Sequence, residues 1–285
     1  MKIPARLLPL LEYGMVDEVL TQLMSGKEAQ VYVVRCGNEI RCAKVYKEAT
    51  KRSFKQAVQY QEGRHVRNSR RARAMSKKTQ YGQKEAEEAW LSAEVDALYR
   101  LAAAGVRVPK PHGFVDGVLI MDLITDEEGD AAPRLGEVDF TPEVARAYHA
   151  MILGDIVRML CAGLIHGDLS EFNVLIDTQG PVIIDLPQAV NAAGNNSAAM
   201  MLERDVQNMA RYFGQYAPEL LKTNYGKEIW ELYEAGNLHP HVKLSGQAKR
   251  EVKKANVSSV MSVIDYALKE ELAAVARRQA AKEED

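Results

Sequence analysis

The sequence predicts an α+β chain of two lobes, a small β-rich one followed by a mainly helical one, with extra helices at the C-terminal end. Three observations carry that reading. Residues Gln30 to Cys36 and Glu39 to Tyr46 alternate or run apolar on either side of Gly37-Asn38, a two-residue hairpin signal. From Pro142 onward, apolar residues recur at helical spacing. That helix delivers the chain to the run His166-Gly167-Asp168-Leu169-Ser170-Glu171-Phe172-Asn173, with Asp185 following twelve residues later after the apolar Val182-Ile183-Ile184. The expected division is 1–121 for the small lobe, with an N-terminal helix and a flexible basic insert at 47–88, then 122–246 for the large lobe and 247–285 for a helical extension.

Taken in chain order, Leu7 to Leu23 is expected to form a helix packed on the small lobe through Leu10, Leu11, Val16, Val19, Leu20 and Leu23. Met24 to Tyr32 then turns through Ser25-Gly26-Lys27-Glu28 into the first strand of the hairpin. The second strand carries Ala43-Lys44-Val45. Trp90, Leu91, Val95 and Leu98 mark a helix that also holds Glu94. Thr141 caps the helix that starts at Pro142, and Gly163 ends it, with Val144, Tyr148, Met151, Ile152, Ile156, Met159 and Leu160 facing the core. Asp126 to Asp130 is an acidic loop, and Asn191 to Ser197 is polar and expected to be mobile. Trp230, Leu232 and Tyr233 are spaced for docking, until Gly236 and Pro240 break the pattern. From Gln247 the chain reads as one or two helices with Val257, Val260, Met261, Ile264, Leu268 and Leu272 apolar, either an added large-lobe element or a surface for a partner or second copy.

Asp168 and Asn173 are five apart in a loop, so one side chain can accept the proton of an attacking hydroxyl while the other holds a metal ion. Asp185, ending a buried apolar strand, can turn its carboxylate into the same cleft and bind Mg²⁺, which prefers hard oxygen ligands. Each piece alone is ordinary, since Asp and Asn favour loops for local hydrogen-bonding reasons. Together they point to phosphoryl transfer from a nucleotide. A lysine on a strand such as that of Lys44 can reach the phosphates when a helix acid holds it, and Glu94 is the best candidate for that acid. The Ser25-Gly26-Lys27-Glu28 turn is not a Walker A loop, which needs two glycines flanking four residues and then Lys-Ser or Lys-Thr. Gly26 nonetheless lets backbone N–H groups approach phosphates, and Ser25 and Lys27 add a hydroxyl and a charge.

The ordered set Ser-Gly-Lys-Glu-Ala-Gln-Val-Tyr, Ala-Lys-Val-Tyr-Lys, Trp-x-x-x-Glu, Val-Pro-x-Pro, Leu-Ile-Met-Asp-Leu-Ile, His-Gly-Asp-Leu-Ser-Glu-Phe-Asn and Ile-Ile-Asp-Leu-Pro-Gln resembles the RIO family of atypical serine/threonine protein kinases, from about Ser25 to Phe213. Ser170 stands where ordinary protein kinases carry a lysine two residues after the catalytic aspartate. With no long segment ahead of Ser25, the chain looks like the bacterial-type branch without an N-terminal winged helix. The resemblance implies a bilobal protein-kinase-like fold and an autophosphorylating enzyme that uses ATP and Mg²⁺. By position, Asp168 is the catalytic base, Asn173 and Asp185 hold magnesium, and Lys44 binds phosphates with Glu94 as its partner. Ser25, Gly26, Lys27 and Glu28 cover the phosphates, and Val31 and Ala43 belong with the nucleotide-binding residues. Val118 to Ile124 becomes the last small-lobe strand entering the hinge, with Met121 near the adenine and the Asp122 to Ile124 backbone bonding its edge. In some members the aspartate matching Asp185 is itself phosphorylated, which makes an ATPase switch an alternative to a kinase.

Departures from ordinary kinases are informative. No Arg precedes Asp168, and Leu186-Pro187 rather than Phe-Gly follows Asp185, so regulation through a loop phosphate is not expected. Ala217-Pro218-Glu219 is read as chance, because Arg204-Asp205-x-x-Asn208 fits the family's large-lobe helix. Between Gly63 and Lys78 stand Arg64, Arg67, Arg70, Arg71, Arg73, Lys77 and Lys78 without an acid, either a solvated loop or a phosphate-contacting arm for RNA or the ribosome. The resemblance makes Ser69, Ser76 and Thr79 autophosphorylation candidates.

Composition fits an enzyme with one bilobal core: 285 residues, 47% hydrophobic, net charge −2. No stretch approaches the ~20 apolar residues that span a bilayer, and Met1 to Gly14 has no signal-peptide core, so no membrane partner and a cytoplasmic location are expected. The three cysteines form no Cys-x-x-Cys pair and the six histidines no metal cluster. A small-molecule kinase is a further alternative, because sugar and aminoglycoside phosphotransferases also use His-Gly-Asp loops. The Ser-Gly-Lys-Glu turn, the Trp-x-x-x-Glu pattern and Ser170-Glu171-Phe172 count against it.

Overall fold

The Gly37-Asn38 turn joins β2 (Ala29–Cys36) to β3 (Glu39–Tyr46) in unbroken antiparallel register from Ala29↔Tyr46 to Cys36↔Glu39. Gly37 has a φ of 62°, the left-handed backbone that a two-residue hairpin turn needs and glycine adopts without strain. The structure, a computed structural model, describes residues 3–26, 29–47 and 93–247. In it the hairpin is the middle of a five-stranded antiparallel sheet of order β1-β2-β3-β5-β4, with β1 at Glu18–Ser25, β4 at Pro111–Val115 and β5 at Val118–Asp122. Lys27, Glu28, the basic run at 63–78 with Ser69, Ser76 and Thr79, Trp90 and residues 248–285, where helices were expected, all lie outside the described residues.

Alternation divides the sheet into two faces. Tyr32, Val34, Ala43, Val45, Val118 and Ile120 pack with Leu7, Leu10 and Val16 on one side. Ala29, Tyr46 and Leu119 join the main core on the other, with Val95, Leu98 and Leu101 of helix α2 (93–103).

The expected helix from Leu7 to Leu23 is not there. A short α1 (Leu8–Glu12) stops at a turn where Gly14 takes a φ of 68°, and Glu18 onward is strand β1. Two register irregularities, between Val19 and Thr21 and between Gln22 and Met24, explain the misreading. Each bulge adds a residue and disrupts the period of two, leaving Val19, Leu20 and Leu23 at a spacing that imitates a helix.

The large lobe is built on α3 (Pro142–Cys161), α4 (Ala198–Phe213) and α5 (Tyr225–Glu234). Thr141 caps α3 by accepting the Val144 N–H, and Gly163, at φ 75°, turns the chain out of its far end. Ile152, Ile156, Met159 and Leu160 are buried, whereas Val144 is exposed at the first turn, a correction to its placement in the core. Two short strand pairings follow α3: β6 (Leu164–Ile165) with β9 (Val190–Asn191), and β7 (Val174–Asp177) with β8 (Gly180–Ile183). The segment Asn191 to Ser197, expected to be mobile, is a built turn. Asn191 accepts the Ala193 N–H at 3.0 Å, and the buried Asn195 accepts that of Ser197 at 2.7 Å.

Candidate active site

Lys44 lies on β3, which is paired with β2 on one side and β5 on the other. Its ammonium meets Glu94 Oε1 of α2 at 2.7 Å and Asp185 Oδ1 at 2.8 Å. Burial works against the charge on Lys44, yet Glu94, then Tyr46 and Asp185, hold its pKa well above the ordinary lysine value. Asp185 experiences the converse. Burial alone would raise its pKa, but the Lys44 charge and hydrogen bond, followed by His166 and Arg134, bring it below the usual carboxylate range. Its side chain keeps 48% of its area exposed despite these close neighbours. Asp185 does not end the strand, as the sequence suggested. β8 stops at Ile183, and Asp185 stands two residues beyond with a φ of 64°, unusual for a non-glycine residue.

The catalytic-loop candidates sit opposite. Asp168 is exposed, while Leu169 beneath it is fully buried and anchors the loop. Asn173 Nδ2 donates to the Asp168 carbonyl at 2.8 Å, which leaves its amide oxygen as the outward group. The Ile184 N–H donates to the Asn173 carbonyl at 2.9 Å, so the loops bearing Asn173 and Asp185 are tied at the backbone. His166 makes a second tie. Its Nε2 is 3.1 Å from the Ile184 carbonyl and its Nδ1 3.3 Å from the Asp168 N–H.

Underneath lies a support that the sequence reading did not assign. Asp205 of α4 accepts the N–H groups of Gly167 at 2.7 Å and Leu169 at 3.0 Å. Arg204 donates to the Gly167 carbonyl and Asn208 to that of Leu169, at 3.0 Å for the latter. Gly167 has a φ of 83°, and a Cβ there would meet the Gln188 carbonyl oxygen at 2.8 Å, so only glycine fits. The available signal was Asp205 standing on the buried face of an amphipathic helix, where an unpaired carboxylate is costly.

The RIO domain family matches residues 30–225, more than two thirds of the sequence. The chain belongs to the RIO family. Among its relatives, the RIO-type serine/threonine-protein kinase Rio1 of Haloferax volcanii is 32% identical over 73% of this chain and 68% of its own length. The Rio1 of Methanocaldococcus jannaschii is also 32% identical, over 77% of this chain and 73% of its own. Human serine/threonine-protein kinase RIO1 is 29% identical over 79% of this chain, which spans 38% of that longer protein. A solved kinase domain aligns at 15% identity with a TM-score of 0.42, covering 72% of this chain and 65% of its own.

In this RIO domain the other predicted nucleotide residues are partly rearranged. Val31 lies opposite Lys44 in the sheet and Met121 opposite Cys42, so both share the lysine's face. Ala43 does not. Being adjacent to Lys44, it points through the sheet into the cluster around Leu7 and Leu10, and the buried Cys42 occupies the place expected of it. Burial raises the Cys42 thiol pKa to about 12, so this position is apolar in character. The turn at Ser25 and Gly26 is closed by a Gly26 N–H to Ala29 carbonyl bond of 2.9 Å, and Lys47 donates to the Gly26 carbonyl at 2.6 Å. In the hinge, the Asp122 N–H donates to Lys110 and the Ile124 carbonyl accepts from Ala132, both at 2.9 Å. The Ile124 N–H has no partner among the described residues.

The donor set suits magnesium. An ionised carboxylate at Asp185 and the amide oxygen at Asn173 are hard ligands, and the hydrogen bond to the Asp168 carbonyl fixes which end of the Asn173 amide faces outward. Among the described residues no group of three or more His, Cys, Asp or Glu side chains forms a metal site of its own, so phosphate oxygens and water would complete the coordination. No described helix is long and apolar enough to cross a membrane.

Proposed function

We propose that this RIO-type serine/threonine protein kinase binds ATP in the cleft between Lys44 and Asp185 and transfers the terminal phosphoryl group to a seryl or threonyl hydroxyl, its own included. The observation that carries the reading is the largely buried Lys44 ammonium shared between Glu94 at 2.7 Å and Asp185 at 2.8 Å. It sets a fixed cation beside an ionised, half-exposed carboxylate, the pairing that phosphoryl transfer uses to hold and neutralise a polyphosphate.

In this reading Asp168 accepts the proton of the attacking hydroxyl as its oxygen bonds to the γ-phosphorus and the bond to ADP breaks. Glu94 orients Lys44, which bonds the phosphate oxygens. Asn173 and Asp185 hold Mg²⁺, which neutralises charge on the phosphates. The Ile124 N–H and the face lined by Val31, Cys42 and Met121 receive the base. The branch is that of the relatives named Rio1. Contact with RNA or the ribosome through 63–78 rests on the seven basic residues there and the absence of an acid.

A second reading is favoured by the left-handed turn that presents Asp185. Its carboxylate oxygen can itself attack the γ-phosphorus, release ADP and form an acyl phosphate that water hydrolyses, giving an ATPase switch. Incubation with γ-labelled ATP and Mg²⁺, followed by acid, base and hydroxylamine treatment, separates the two. Acid-stable label on Ser or Thr supports the kinase. Label on Asp185 removed by hydroxylamine supports the switch, and no label with no ATP consumption overturns both.

A further inference from the structure

Arg134 has no role in the scheme above, yet its surroundings point to the cleft. It lies in the segment between the hinge and α3, directly before the 3-10 turn Leu135–Glu137, and forms an isolated β-bridge with Leu175 of β7, two residues past Asn173. Its backbone is fixed independently of its side chain, because the Arg134 N–H donates to Glu137 Oε2 at 2.9 Å. From this large-lobe anchor the guanidinium crosses to the small lobe, where one nitrogen sits 3.0 Å from the thioether sulfur of Met24. Met24 immediately precedes the Ser25-Gly26 turn assigned to the phosphates.

This is an unusual way to leave an arginine. The side chain is only partly exposed, and among the described residues it has no carboxylate partner. A thioether is a weak acceptor, and a guanidinium has five N–H donors in a planar fork shaped for carboxylate or phosphate oxygens.

We infer that Arg134 is a second cationic contact for the nucleotide's phosphate chain, reaching it from the large lobe while Lys44 reaches it from the small one. The inference rests on the nucleotide site proposed above. Arg134 bonds phosphate oxygens through N–H donors that the Met24 sulfur satisfies only weakly, and it joins the covering turn to the loop of Asn173 across the bound phosphates.

Titration calorimetry of the full chain with MgATP, MgADP and adenosine, on wild type, Arg134→Ala and Arg134→Lys, tests this. A charge-assisted contact to phosphate predicts that Arg134→Ala weakens MgATP and MgADP by roughly 10- to 100-fold while adenosine stays within about twofold, with Arg134→Lys in between. Equal weakening of all three would show that Arg134 only braces the lobes and would overturn the assignment, as would no change in any. Wild type that bound adenosine but gained nothing from phosphates would overturn it as well. Wild type that bound none of the three would sink the nucleotide site itself and this inference with it.

Discussion

Asp205 brackets Asp168: its two carboxylate oxygens accept the N–H groups of Gly167 and Leu169, the residues on either side of the proposed base. One buried side chain of α4 therefore fixes the peptide planes that aim Asp168, although it never approaches the cleft opening. Burial raises the pKa of Asp205, while His166, the two backbone donors and Arg204 work in the opposite direction.

Asp205→Asn should accordingly damage turnover more than binding. The amide retains one acceptor oxygen and turns its NH₂ against a backbone donor. Folding stability should fall by about 1–3 kcal/mol, and kcat by roughly 10²-fold through misplacement of Asp168, with KM for ATP within about threefold. Autophosphorylation kinetics beside a thermal melt distinguish this from simple unfolding, which would lower the active fraction without changing kcat per folded molecule.

Glu94→Gln removes the charge that holds Lys44 from α2. The lysine keeps Asp185 as its ion-pair partner and is drawn toward the metal side, so kcat/KM for ATP should drop by about 10²-fold. An unaltered kcat/KM would remove Glu94 from the assignment.

Asp168→Ala should reduce phosphoryl transfer by about 10³-fold with MgATP affinity nearly unchanged, because the side chain meets only the hydroxyl acceptor. Asp185→Ala should abolish the Mg²⁺ dependence of nucleotide binding as well as transfer. Calorimetry with and without Mg²⁺ reads both, and full labelling of Asp168→Ala would refute the base assignment.

The fold carries its own pH sensitivity at His149, buried on α3 against Phe213 and Tyr225. Burial lowers its pKa from 6.5 to about 4. A histidine held neutral in the fold binds fewer protons than in the unfolded chain. Its contribution is therefore complete above pH 6.5 and is lost as pH falls toward 4. Between pH 7.5 and 5 the loss should be about 2 kcal/mol. Urea melts of wild type and His149→Phe read it by difference, because Asp155 and Asp205, whose pKa values are raised, titrate alike in both. Parallel pH profiles for the two proteins would contradict it.

Much of this arrangement was legible because short-range signals carried it. The Gly37-Asn38 hairpin, the Thr141 cap with Gly163 at the far end, and the spacing of Asp168 and Asn173 all depend on neighbours a few residues away. Strand β1 was illegible because its two bulges disrupted the period that identifies a strand. Ala43 was misassigned by one position, and in a strand one position is the whole difference between two faces. Asp205 and Arg134 were missed for another reason. Their partners are more than thirty residues away in the chain, and only the folded backbone brings them within hydrogen-bond reach.

The place of β3 within its sheet separates a stiff duty from a compliant one. Lys44 rides on a strand clamped along both edges, whereas Ser25 ends β1, the outermost strand, whose side chains are exposed along nearly its whole length. Local opening begins where buried contacts are fewest. The rim of the cleft can therefore yield to admit or release a nucleotide while the lysine keeps its aim, as a door swings on a frame that does not bend.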